Sequence, residues 1–314
     1  MLKTHLLRPV VLASWVLTGC QGHTAVRPEP ILAQRPRSQP PPEIDCQSYI
    51  PDQFDSPHSK FDFAEIPYSD KDRLDYSGNT IFKQVRKLKA TNLRGFTEVE
   101  YAVLKRHGRT VARFDSALNE LSEVRFGLFA FLGGNTQQLV VEQTANKFWR
   151  YWIVNLSPRF EVIYDSGKYD LVFGLSPVDL DHDGTFEIVQ ALGTFWYVLG
   201  DNLSSPRPEI ILKYSSSTHR YVPANQQFQP LVLADVRQRI ERGEEIKRNA
   251  SDYPCHPVVF DVTLRYLYAG RKREAWSFFE REFDEKDKRE WEVAIKKRLS
   301  KDAAYRAIYR TSHR

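Results

Sequence analysis

The sequence predicts an α+β chain, mainly β, in which two to three antiparallel β-repeats precede a small helical bundle. Between Gly95 and Phe228, aromatic and β-branched residues alternate with polar ones, and turn residues separate the runs. That same region matches itself at a nearly constant offset, the mark of a duplicated unit of strands. After Pro230 the apolar spacing lengthens to a helical period, with Val232, Val236 and Ile240 recurring every four residues. A length of 314 residues suits one sizeable core plus a smaller one. A mean hydropathy of −0.50 and the lack of a long apolar run exclude a polytopic membrane protein. Six Trp, 15 Tyr and 19 Phe are too many for a disordered chain. Three cysteines are too few for a disulfide-dense scaffold or a four-thiolate zinc site.

Residues 1–19 have the anatomy of an export signal. Lys3 and Arg8 supply a positive start, and Val10 to Leu17 supply an apolar run too short to span a bilayer. The segment ends in Leu17-Thr18-Gly19-Cys20, which resembles the bacterial lipobox. The resemblance implies cleavage before Cys20, a diacylglycerol thioether on that cysteine, and a lipid bilayer as its first partner. Gln21 is not the Asp linked to inner-membrane retention, so the analogy favours an outer-membrane anchor facing the periplasm. Loss of Lys3 and Arg8 takes the formal charge from +5 to +3, which weakens any argument for a nucleic-acid partner, and none is expected. With Cys20 lipidated, Cys46 and Cys255 remain as an even pair in an oxidising compartment. That pair suggests a disulfide, with two buried free thiols as the alternative.

From Cys20 to Asp45 the chain has no apolar periodicity and carries Pro28, Pro30, Pro36, Pro40, Pro41 and Pro42. Proline fixes φ and removes amide donors, so this is a semi-extended tether. At ~3.1 Å per residue it reaches on the order of 75 Å. Residues 46–94 show no readable pattern; they include the basic cluster Lys83, Arg86, Lys87, Lys89 and Arg94.

Residues 95–228 hold the repeats. Val111–Ser116 matches Glu161–Ser166, Phe126–Leu128 matches Phe173–Leu175, Thr136–Val140 matches Thr185–Val189, and Phe148-Trp149 matches Phe195-Trp196. A third, degenerate hairpin follows, with strands near Glu209–Lys213 and His219–Val222. The second copy contains Asp179-Leu-Asp181-His-Asp183-Gly184-Thr185-Phe-Glu187. Carboxylates two residues apart, closed by a glycine, can wrap oxygens around one hard cation, and four of them in nine residues repel one another without one. An EF-hand is excluded, because its twelfth position falls on Gln190 and strands flank the loop.

This loop and its duplicated surroundings resemble the FG-GAP/VCBS-type repeat of integrin-like β-propellers, where such a turn leads straight into a strand. The resemblance implies propeller-blade-like repeats and one structural Ca2+ held by Asp179, Asp181, Asp183, Glu187 and the Thr185 carbonyl. The first copy, Leu132-Gly133-Gly134-Asn135, lacks carboxylates and is expected to bind no metal. With two blades and a fraction, an open arc or small sandwich is expected rather than a closed propeller. The aromatic clusters around Trp149, Trp152 and Trp196 either fill the core or present a face on which a sugar ring stacks.

Residues 229–314 form the helical end. Pro257 opens a helix that Gly270 terminates. Further helices turn Ala275, Trp276, Phe279 and Phe283, then Trp291, Ala294, Ile295 and Leu299, then Ala304, Ile308 and Tyr309 inward. The last stretch carries Lys296, Lys297, Arg298, Lys301, Arg306, Arg310 and Arg314 against Asp302 alone. It is read either as a solvated helix face or as a contact for anionic envelope polymers or lipid headgroups. No nucleophile elbow, zinc-protease helix, P-loop or dinucleotide fingerprint occurs, which lowers the weight on an enzyme. The expected function is a lipid-anchored, non-catalytic envelope module that binds a protein partner. The alternative is a carbohydrate-binding or carbohydrate-processing lipoprotein using the tryptophan face.

Overall fold

A computed structural model describes residues 62–311, apart from 90–95, 117–120, 146–147, 170–173, 196–197, 199–204, 250–255 and 284. These residues belong to the second of two units, residues 44–314. The expected export signal and tether lie outside the described residues, as do Cys20, Cys46, Cys255 and Trp196.

Three four-stranded antiparallel sheets follow one another along the chain, and the helices come after them, so the chain is mixed α+β and mainly β. The first sheet is β1 (Arg73–Tyr76), β2 (Asn79–Lys89), β3 (Phe96–Arg106) and β4 (Arg109–Phe114). The second is β5 (Glu123–Phe129), β6 (Gln138–Ala145), β7 (Phe148–Asn155) and β8 (Glu161–Asp165), which runs into a single 3-10 turn at Ser166–Lys168. The third is β9 (Ser176–Val178), β10 (Glu187–Ala191), β11 (Glu209–Ser215) and β12 (Arg220–Pro223). In each sheet the spatial order is the chain order, and no sheet closes on itself among the described residues.

Period-two alternation explains how the sheets pack. In β6, Leu139 and Val141 point to one core and Val140 to another; in β7, Trp152 and Val154 face the first core, and Tyr151 and Ile153 the second. The first core is shared with Ile81, Ala102, Leu104 and Phe114 of the first sheet. The second is shared with Ile188, Ile210 and Leu212 of the third sheet. The third sheet repeats the trick, sending Val189 and Ile211 to a further cluster with Phe228 and Val232. The second and third sheets thus each bury two apolar faces, while the first contributes to the first core alone.

A one-turn helix, α1 (Gln229–Val232), and five longer helices follow: α2 (Val236–Asn249), α3 (His256–Tyr268), α4 (Lys272–Glu282), α5 (Glu285–Lys301) and α6 (Ala303–Thr311). Helix α3 ends where Gly270 adopts φ +82°, with Gly270 N–H donating to the Leu267 carbonyl and Arg271 N–H to that of Tyr266. Of the helical residues expected to turn inward, Ala275, Phe279, Phe283, Ile295, Leu299, Ala304 and Ile308 are buried, Trp276, Trp291 and Tyr309 are partly buried against the same core, and Ala294 instead borders a surface cleft. The buried residues share one core with the second and third sheets, and Phe195 meets Phe260 edge-on at 5.6 Å.

Three features differ from the sequence reading. The segment 73–89 is half of the first sheet, and the boundary placed after residue 94 falls between β2 and β3, which pair from Asn79↔Arg106 to Lys89↔Phe96. The self-match runs across sheets: its first pair of segments falls on β4 and β8, the last strands of the first and second sheets, whereas Gln138 to Val140 and Glu187 to Val189 fall on β6 and β10, the second strands of the second and third. The degenerate hairpin is the second half of the third sheet, because β11 pairs with β10.

Candidate metal centre

The acidic loop joins β9 to β10. Val178 pairs with Glu187 across the two strands, so the eight residues between them form the reversal. The carboxylates organise that reversal themselves. Asp179 accepts the N–H groups of Asp183 at 3.1 Å and Gly184 at 3.0 Å, Asp183 accepts that of Thr185 at 2.7 Å, and Glu187 accepts that of Leu180 at 2.9 Å. His182 and Gly184 take positive φ of 57° and 81°, and the His182 side chain is exposed.

The loop is also pinned from the second sheet. The Phe186 N–H donates to the Phe131 carbonyl at 2.8 Å. Gly133, in the first-copy turn, lies so close to Gly184 that a Cβ on it would sit 2.4 Å from the Gly184 carbonyl oxygen. The carboxylate-free turn of one sheet therefore abuts the acidic turn of the next.

Oxygens from Asp179, Asp181 and Glu187 lie within 4.8 Å of one another, and this cluster could hold a metal ion. A cation of the chain's own already reaches it. The Lys213 Nζ stands 2.6 Å from Asp181, 2.9 Å from Asp183 and 2.9 Å from Glu187. The register explains its arrival: Ile188 pairs with Leu212, which brings Lys213 opposite Glu187. Burial pulls the Lys213 ammonium toward neutrality, but its hydrogen bonds to Asp181, Asp183 and Glu187 outweigh burial and hold it above the ordinary lysine value. Asp183 is held below the ordinary carboxyl value, first by Lys213 and then by the Thr185 N–H. Glu187 is fully buried, and burial pushes its carboxyl up despite Lys213 and the Leu180 N–H.

The donor set fits calcium in kind, since it is made of hard oxygens with carboxylate lone pairs left over. Four carboxylates against one ammonium leave an excess of three negative charges on the ionised loop. The same geometry sets a condition on that fit: an entering cation meets Lys213 where the oxygens of Asp181, Asp183 and Glu187 converge. Lys213 carries no motif and lies outside the acidic run. The signal that finds it is the residue opposite Glu187 in the β10–β11 pair.

Of the predicted tryptophan face, Trp149 and Trp152 are described, and they are not brought together. Trp149 is half-buried against the core shared with the helices. Trp152 is 7% exposed on the opposite side of β7, 5.6 Å from Phe114 in the core shared with the first sheet. The match of Phe148-Trp149 to Phe195-Trp196 also fails locally, because Phe148 opens β7 while Phe195 sits in the turn after β10. Among the described residues, no helix is long and apolar enough to cross a membrane. No protein-family model, curated protein or solved structure matches this chain.

Proposed function

We propose that the chain is a lipid-anchored protein of the bacterial envelope, held to the outer membrane through Cys20. Its stacked sheets form a non-catalytic module that docks a protein partner. In this reading the sheets are blade-like repeats of the FG-GAP kind in an open arc, and one calcium braces the third. The observation that carries it is the acidic loop, where carboxylates converge at a joint between two sheets and their hydrogen bonds serve the turn itself. The signal-like start, the Leu-Thr-Gly-Cys run and the proline-rich tether support the anchor. Calcium would be held by Asp179, Asp181, Asp183, Glu187 and the Thr185 carbonyl, with the Lys213 ammonium as its competitor.

Thermal melting with calcium, magnesium or chelator tests the metal, using wild type and Lys213→Gln. Calcium at a hundredfold excess over its dissociation constant adds about 2.7 kcal/mol to the native state. Lys213→Gln is expected to lower the melting point in chelator and to gain more from calcium than wild type does. Indifference of both proteins to calcium would sink the metal reading and leave a loop closed by lysine. For the anchor, Cys20→Ser is expected to move the chain from the membrane fraction to the soluble one, and retention in the membrane would overturn it.

A further inference from the structure

A second charged site lies where the second sheet meets the last two helices. The 3-10 turn after β8, the turn after β10 and the α5–α6 junction enclose a cleft of about 790 Å³. Lys168, Lys297, Arg298 and Lys301 line it, together with Tyr169 and Thr194. A volume of this order accommodates a small-molecule ligand.

Helix α5 distributes its charges unevenly. Away from the cleft two of its lysines are matched: Lys288 pairs with Glu280 at 3.3 Å, and Lys296 pairs with Glu292. On the stripe formed by Ala294, Lys297, Arg298 and Lys301, the lysines have no carboxylate partner among the described residues. Lys297 and Lys301 are one turn apart, a like-charge spacing that costs an isolated helix stability. Arg298 is fixed by donating to the Thr194 carbonyl at 2.8 Å.

Asp302 also borders the cleft, but its oxygens are engaged in hydrogen bonds within the chain. It is 6% exposed and accepts from the Tyr268 hydroxyl at 2.8 Å, the Tyr305 N–H at 2.8 Å and the Thr194 hydroxyl. Four cations therefore face a cavity whose single carboxylate is engaged within the chain. Burial, then Asp302, pushes Tyr169 up to about 12, so its phenol remains a hydrogen-bond donor at neutral pH.

We infer that this cleft binds a phosphate ester, with Lys168, Lys297, Arg298 and Lys301 neutralising the anion and Tyr169 available to hydrogen-bond it. A phosphate offers several acceptor oxygens and up to two negative charges at once, which suits converging lysines and a guanidinium better than a lone carboxylate does. The ester is either a soluble compound or a lipid headgroup. The cleft shares no residue with the acidic loop and does not depend on calcium.

Calorimetric titration of the full chain with glycerol-1-phosphate, dihexanoylphosphatidylglycerol and galacturonate tests the assignment. At least one phosphate compound is expected to bind, and Lys297→Gln/Lys301→Gln to weaken that binding at least tenfold. The control Lys87→Gln/Lys296→Gln removes the same charge outside the cleft and is expected to stay within twofold of wild type. Binding of glycerol-1-phosphate identifies the phosphate as sufficient; binding of the lipid alone identifies a headgroup with its acyl chains. The assignment is overturned if neither phosphate compound binds, if galacturonate binds as tightly, or if the two double variants weaken binding equally.

Discussion

Two clusters of charge in this protein are built from the same parts to opposite accounts. Between α2 and α3, Arg239 and Arg265 meet Asp235 and Asp261 at 2.7–3.1 Å, with all four side chains at most 17% exposed. Two guanidiniums face two carboxylates, so the network is complete by itself. In the β9–β10 loop, four carboxylates face one ammonium, and Asp183 is 45% exposed. The first arrangement is closed to anything outside the chain. The second is held together by its own lysine and still carries surplus negative charge where solvent cations can reach. Balance and exposure, rather than the number of charges, separate a fastening from a site.

The largest effect is expected where the balanced network is broken. Asp261→Ala leaves Arg239 and Arg265 short of a partner in a buried setting, at a cost of about 3–5 kcal/mol. Urea unfolding should show that loss equally with calcium and with chelator; a loss that calcium repairs would mean the two clusters are not independent. Gly133→Ala comes next. Its new methyl group collides with backbone rather than with a side chain that can yield, and its φ of +71° disfavours any Cβ. We expect about 2 kcal/mol of destabilisation and weaker calcium binding together. Loss of stability with metal response intact would show that the abutting turns do not shape the acidic loop.

The smallest effect is a pH dependence. Asp183 has a folded value below its ordinary 3.8, so its contribution is present above pH 3.8 and is lost as pH falls through the lower folded value. Lys213 has a folded value above its ordinary 10.5, so its contribution is whole below pH 10.5 and is lost only as pH rises through that higher value. Across neutral pH the two remain charged together. Acid unfolding of Asp183→Asn should accordingly fall away less steeply below pH 4 than that of wild type. Parallel acid limbs would remove the loop as a source of acid sensitivity.

How much of this was legible depends on whether the signal was local. The acidic loop could be read because its carboxylates are two residues apart and the turn they make is contiguous. The inward helical residues could be read because their partners recur every three or four positions on the same element. Lys213 could not, since a lysine in a strand acquires meaning only through the residue across from it. The first two strands were hidden by charge: in β2, Lys83, Arg86 and Lys87 are drawn off by Asp72, Asp115 and Glu98, and Val85 is half exposed, so little apolar alternation survives. The overlooked clue there was Ser77-Gly78, a two-residue reversal with both φ positive, matched by His107-Gly108 between β3 and β4. The tryptophans misled because a stacking platform needs residues of one parity, whereas Trp149 and Trp152 differ by three.

The core that Val140, Ile188 and Leu212 share with Phe260, Phe279 and Ile308 has a bearing on how the chain comes apart. Sheets and helices here are not beads that melt in turn. A chain cut at Phe228 would expose one flank of two sheets to water, and a released helical piece would lack the surface that orders it. The second and third sheets and the helices are therefore expected to unfold in one cooperative transition, so that a protease nick in the helical end exposes the sheets as well.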